Sequence, residues 1–145
     1  MNLKKHFLNT FIICNLLLSC NANKAAKSNT DLLQGTWELN YISGSKIAFE
    51  GLFPNNKPTI VFDLKTNRVS GSNSCNTYSG PLNINQNTID FKTPMAFTKM
   101  FCKDNQGERV YMQTLQKINT YSISEDGKVL NFITDNVAIL RFKKL

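Results

Sequence analysis

From Gly35 to its C-terminus this chain sets single apolar residues against single polar ones and breaks the rhythm every few residues with a short polar turn. A period of two sends successive side chains to opposite faces of an extended backbone, so such segments are strands with one face buried and one wet. In Gly35-Thr36-Trp37-Glu38-Leu39-Asn40-Tyr41-Ile42, the series Trp37, Leu39, Tyr41 is expected to point inward and Thr36, Glu38, Asn40 outward. Residues 43–58, which hold Gly44, Gly51, Pro54 and Pro58, read as a loop. Residues 59–63 and 68–71 read as a hairpin around Lys65-Thr66-Asn67, and residues 81–85 and 88–92 as a second across Gln86-Asn87. Residues 120–124, 129–133 and 137–142, separated by Asp126-Gly127 and Asp135-Asn136, form a closing meander.

A single segment has helical character. Asn105-Gln106-Gly107-Glu108 has the form of a capping box, and Tyr111, Leu115 and Ile118, with Met112 beside them, make an apolar stripe that suits packing on a sheet. There is no alternating strand–helix–strand pattern and no internal repeat, and 145 residues suit one domain. The expected fold is mainly β (α+β): a curved antiparallel sheet or partial barrel of short strands, with one amphipathic helix packed across it.

The N-terminus obeys different rules. Met1-Asn2-Leu3-Lys4-Lys5 is positively charged, and the apolar run of residues 7–18, interrupted by Asn9 and Asn15, is short for a bilayer span, so residues 1–19 read as a signal peptide. Leu17-Leu18-Ser19-Cys20 resembles a bacterial lipobox, which implies cleavage before Cys20 and a diacylglycerol thioether on its sulfur. Two or more acyl chains anchor stably where one holds marginally. The polar stretch that follows, residues 20–30 with the lipidated cysteine, is read as a flexible linker, and residues 31–145 as the folded domain. Asn21 stands where an aspartate would retain the protein in the inner membrane of enteric bacteria, so the expected address is the cell envelope, on the outer membrane.

Without Lys4 and Lys5 the 17 basic residues become 15 against 10 acidic ones, a net charge of +5. The lysines and arginines are scattered and form no dense run, and an exported lipoprotein meets no nucleic acid, so nucleic-acid binding is excluded as an expectation. An anionic envelope ligand or an envelope protein stays open as a partner, and a monomer is the expected state. The sole histidine, His6, lies in the signal peptide, which removes the usual triads from the mature domain. With Cys20 lipidated, only Cys75 and Cys102 remain as thiols, too few soft ligands to close a zinc site, so neither metal nor cofactor is expected. Asp63, Asp90, Glu108 and Asp126 each fall at a turn, strand or cap, and nothing nominates a catalytic pair among them.

Residues 69–80, Val-Ser-Gly-Ser-Asn-Ser-Cys-Asn-Thr-Tyr-Ser-Gly, read as a strand that enters a glycine-punctuated corner. With Gly35-Thr36-Trp37, Ile60-Val61-Phe62, Ser70-Gly71, the Cys75-Asn76-Thr77-Tyr78-Ser79-Gly80 run, Thr98, Met100, Cys102 and the aromatic-bearing helix, the chain resembles the META domain family, whose bacterial members include the HslJ-type heat-inducible lipoproteins. Ser74 departs from that pattern, since the family often carries glycine there. The resemblance implies that Gly71, Asn76, Tyr78, Gly80, Thr98 and Met100 form a signature around the two cysteines. Cys75 and Cys102 are read as a structural disulfide, as expected in an oxidising envelope, ahead of a redox pair, which is more commonly Cys-x-x-Cys at a helix start. Asn76 is expected to tolerate a left-handed backbone, Tyr78 to pack over the corner, Gly80 to allow a positive φ, and Thr98 to bond neighbouring backbone. Three functional classes follow: a non-catalytic envelope lipoprotein that binds a partner or ligand, with the link to stress that the HslJ resemblance implies; an inhibitor of an exported hydrolase; and, least favoured, a carboxylate-dependent hydrolase.

Overall fold

The structure, a computed structural model, describes residues 28–103, 105–124 and 126–145. The signal peptide, Cys20 and nearly all of the linker lie outside the described residues. In chain order the elements are α1 (Asn29–Leu33), β1 (Gly35–Ile42), α2 (Phe49–Leu52), β2 (Thr59–Asp63), β3 (Arg68–Ser72), β4 (Thr77–Pro81), β5 (Asn83–Asn85), β6 (Thr88–Asp90), β7 (Ala96–Phe97), α3 (Gln106–Leu115), β8 (Thr120–Ser124), β9 (Val129–Thr134) and β10 (Val137–Lys144). The strands pair antiparallel in the order β5-β6-β8-β9-β10-β1-β2-β3-β4-β7.

That order bends the sheet. β4 lies next to one end of the order and β5 at the other, yet only Leu82 separates Pro81 from Asn83. One intervening residue spans at most about 7 Å between Cα atoms, so the two ends of the sheet must curl towards each other. The result is the expected curved sheet, a half-barrel closed around an apolar interior. Trp37, Phe62, Phe132, Phe142 and Tyr111 are fully buried in it. Phe132 meets Phe62, Phe91 and Phe142 at centroid distances of 6.4, 5.4 and 5.2 Å, and Phe142 meets Tyr111 at 6.5 Å. The stripe of α3 enters this interior: Tyr111 and Leu115 are buried, as is Ile118 just past the helix.

The turns behave as their residues dictate. Asp126 and Gly127 have φ of 54° and 88°, and Asp135 and Asn136 have 49° and 65°. Positive φ at both central positions suits the twist of a hairpin, and these are residue types that tolerate it. Asp63 closes the β2–β3 turn, accepting from the Thr66 hydroxyl at 2.7 Å and from the backbone of Lys65. The Thr66 bond is the main reason its carboxyl titrates below the usual range.

Two expectations are corrected. Tyr41 does not point inward; it is 40% exposed, and Ile42 takes the inner face. The β1–β10 register slips between Leu39 and Tyr41, and one extra residue in a strand sends every later side chain to the other face. The region read as a loop contains α2, whose Leu52, followed by Phe53, is buried. Ser28 and Asp31 form a reciprocal capping box on α1. α1 is anchored in turn by the Trp37 indole, which donates to the Leu33 carbonyl at 2.8 Å.

Candidate functional site

Residues 73–76 link β3 to β4, and almost every polar atom of the corner is turned on the protein itself. Asn73, fully buried, accepts at Oδ1 from the backbone N–H of Cys75 (3.2 Å) and Asn76 (2.7 Å), so its side chain imposes the turn. Ser74, between them, has φ of 89°, a conformation that glycine adopts without strain. A glycine at this position would carry no such strain.

Asn76 is the hub. Its Oδ1 accepts from the Thr98 hydroxyl at 2.9 Å and the Met100 N–H at 2.8 Å, while Thr98 Oγ1 accepts from the Thr77 N–H at 3.1 Å. Its amide nitrogen donates to Glu108 Oε1 at 3.1 Å, and Asn73 Nδ2 donates to the same oxygen at 2.9 Å. Bonds to a charged acceptor contribute about 1.5–3 kcal/mol each. The Cys75–Cys102 disulfide, with Cα atoms 6.2 Å apart, ties the corner to the segment that precedes α3. A surface depression of about 600 Å³ lies beside it, lined by Leu52, Pro54, Asn55, Ser74, Cys75 and Cys102.

Below the corner, Tyr78 is buried and its hydroxyl reaches the Thr59 carbonyl at 3.0 Å and the Tyr111 hydroxyl at 2.9 Å. A phenol has one proton to give and the carbonyl can only accept, so Tyr111 is the donor to Tyr78. Burial pushes both phenols well above their ordinary value. Gly71 makes this reach feasible. It pairs with Ile60 on one side and Tyr78 on the other, and a Cβ there would overlap the Thr59 carbonyl and crowd the Tyr78 hydroxyl at 2.8 Å.

Gly71, Asn76, Tyr78, Thr98, Met100 and the two cysteines thus converge. Met100 contributes backbone, since its side chain is largely exposed. Gly80 stands apart at the other end of β4, where an added Cβ would lie 2.7 Å from Met95 Cγ. It is required by close approach and not by a positive φ. Asn76 likewise does not adopt the left-handed backbone; its side chain is what the corner uses. Thr98 bonds the strand beside it, at Thr77, in addition to Asn76. The capping box at α3 is absent too: Asn105 makes no side-chain cap bond, and Glu108 has turned to the two buried amides. Asn73 and Tyr111 were missed as members of this site. No sequence signal marks the first, and the second was read only as part of the apolar stripe.

Among the described residues the corner presents neither an activated nucleophile nor a paired base, and Glu108, the carboxylate described there, already accepts from two amides. Among the described residues no group of three or more His, Cys, Asp and Glu side chains is placed to hold a metal ion, and no helix is long and apolar enough to cross a membrane.

A family model described as META domain matches residues 30–145. No curated protein matches. Among solved structures, an NMR structure of a protein from Burkholderia xenovorans superposes with a TM-score of 0.62 at 23% identity, covering 80% of this chain and 86% of that one. A second protein solved by NMR gives 0.54 at 22% identity, with 81% and 94% covered. The crystal structure of a DUF4847 family protein from Bacteroides vulgatus gives 0.51 at 14% identity, with 79% and 95% covered. At these identities the likeness is one of fold.

Proposed function

The chain belongs to the META domain family, and from that footing we propose that it is a non-catalytic lipoprotein of the bacterial cell envelope, anchored through Cys20 and binding an envelope partner or ligand. The observation that supports this reading most is the corner: Asn73, Asn76, Thr98 and Glu108 are bonded to one another and locked by a disulfide. Polar groups committed in this way rigidify a surface and are not free to exchange protons with a substrate. Three further carboxylates serve local structure: Asp31 caps α1, Asp63 closes a turn, and Asp90 accepts from the Lys92 N–H at 3.1 Å. The disulfide fits an oxidising compartment. The order of basic residues, apolar run and lipobox supports the anchor, and Asn21 supports the outer membrane. A stress-related role rests on the HslJ resemblance alone.

The test is the anchor itself. In Cys20→Ala, the protein is expected to lose its partition into detergent or to accumulate unprocessed, whereas the wild type partitions into detergent. A mutant that partitions and is processed like the wild type refutes the assignment. Recovery of the wild-type lipoprotein from its own membranes then identifies what co-purifies.

A further inference from the structure

We propose that the loop between β7 and α3 is a second membrane contact, in which Met100 and Phe101 enter the interface of an anionic bilayer while Lys99 and Lys103 meet its headgroups. Phe101 is 96% exposed, Met100 59% and Phe97 45%. Met100 and Phe101 are held out in solvent on a segment that is fixed, while Phe97 packs one side against Tyr78 at 6.3 Å. The Met100 N–H donates to Asn76 Oδ1 at 2.8 Å, the Thr98 hydroxyl donates to the same oxygen, and Cys102 is bonded to Cys75. The fold therefore uses its most constrained corner to keep Phe101 outside its own core.

Charge selects the occupant. From Phe91 to Lys103 the chain carries Lys92, Lys99 and Lys103 and no acidic residue, and all three lysines are exposed; Asp104 follows in sequence. An apolar tip bracketed by lysines suits a bilayer, where the rings sit at the acyl boundary and the ammonium groups reach anionic headgroups. A protein acceptor fits less well. Stable protein interfaces bury about 1,200–2,000 Å², whereas exposed aromatic side chains offer about 150–250 Å² each when fully buried. A patch of two or three side chains falls far short, but a lipid surface demands no matching shape. This contact does not depend on lipidation at Cys20, and its test separates the two.

The probe is the full chain carrying Phe101→Trp, with the buried Trp37 as internal reference, added to phosphatidylcholine vesicles with and without phosphatidylglycerol, their acyl chains brominated. The new indole is expected to blue-shift and be quenched on anionic vesicles in both the wild-type and Cys20→Ala backgrounds. Lys99→Glu with Lys103→Glu is expected to weaken vesicle binding of the Cys20→Ala chain at least about thirtyfold. Because Phe101 is almost wholly exposed, its replacement leaves the core untouched. An anchored protein whose introduced indole stays unquenched overturns the loop contact and leaves the anchor standing. Equal quenching on neutral vesicles overturns the headgroup role. An indole that shifts only when envelope protein is added overturns the proposal in favour of a protein partner.

Discussion

The C-terminal meander and the disulfide corner lie in the same sheet and are held by opposite means. β8, β9 and β10 are joined by two turns with positive φ and secured by Leu130, Phe132, Leu140 and Phe142, all fully buried. The corner between β3 and β4 has a buried asparagine at its centre, a second asparagine bridging three segments, and a covalent bond. Apolar burial is non-directional, so a hairpin with an apolar face needs only alternation and compatible turns. A tight corner has to desolvate backbone N–H groups, which must find directional partners or cost stability. Side-chain amides, with two donors and an acceptor each, supply those partners in little space.

The comparison can be broken at its strongest point first. Phe132→Ala removes a ring that touches three other aromatic residues, and it is expected to cost about 4 kcal/mol, the range for emptying a buried aromatic site. A chemical denaturation midpoint that barely moves would show that the meander is not held by its interior. Next comes the corner. Reduction, or Cys75→Ser with Cys102→Ser, frees a loop of 27 residues, worth about 3.5 kcal/mol in the chain-entropy model. The melting temperature should fall markedly while the low-temperature far-UV spectrum is unchanged, because the asparagine network still specifies the turn. Two reactive thiols per chain in the denatured, unreduced protein would show the cysteines unpaired, and a readily exchanging pair that costs little stability would favour the redox reading. The smallest effect sharpens the contrast. Ser74→Gly relieves a positive φ and should stabilise the domain by about 1 kcal/mol, less than the cost of either loss. If it destabilises instead, the Ser74 conformation is not strained.

The meander was legible in advance down to its turn residues, and the α3 stripe likewise, because periodicity and turn chemistry are local. The signature residues were legible as a group through the family resemblance, but their roles were not. Glu108 shows why: three residues after Asn105 it has the spacing of a cap, and only the approach of Asn73 and Asn76 from a distant turn gives it better donors. Thr77–Pro81 and Ala96–Phe97 were not recognised as strands, since one sits within the glycine-punctuated motif and the other is two residues long. Tyr41 was misplaced by a single bulge that the alternation gives no sign of.

What the sequence determined by itself is therefore whatever depends on neighbours along the chain: a mainly β domain with one long amphipathic helix, its hairpin turns, and a core drawn from alternate residues. What tertiary structure decided is whatever depends on distance in space. Leu82 alone joins β4 to β5 and so brings the two limbs of the sheet together. Gly71 is small because Thr59 and Tyr78 close over it, and the Glu108 carboxylate is claimed by two amides from another turn. Such contacts carry no periodicity, because each depends on which side chains the folded backbone brings within about 3 Å of one another, the range of a hydrogen bond.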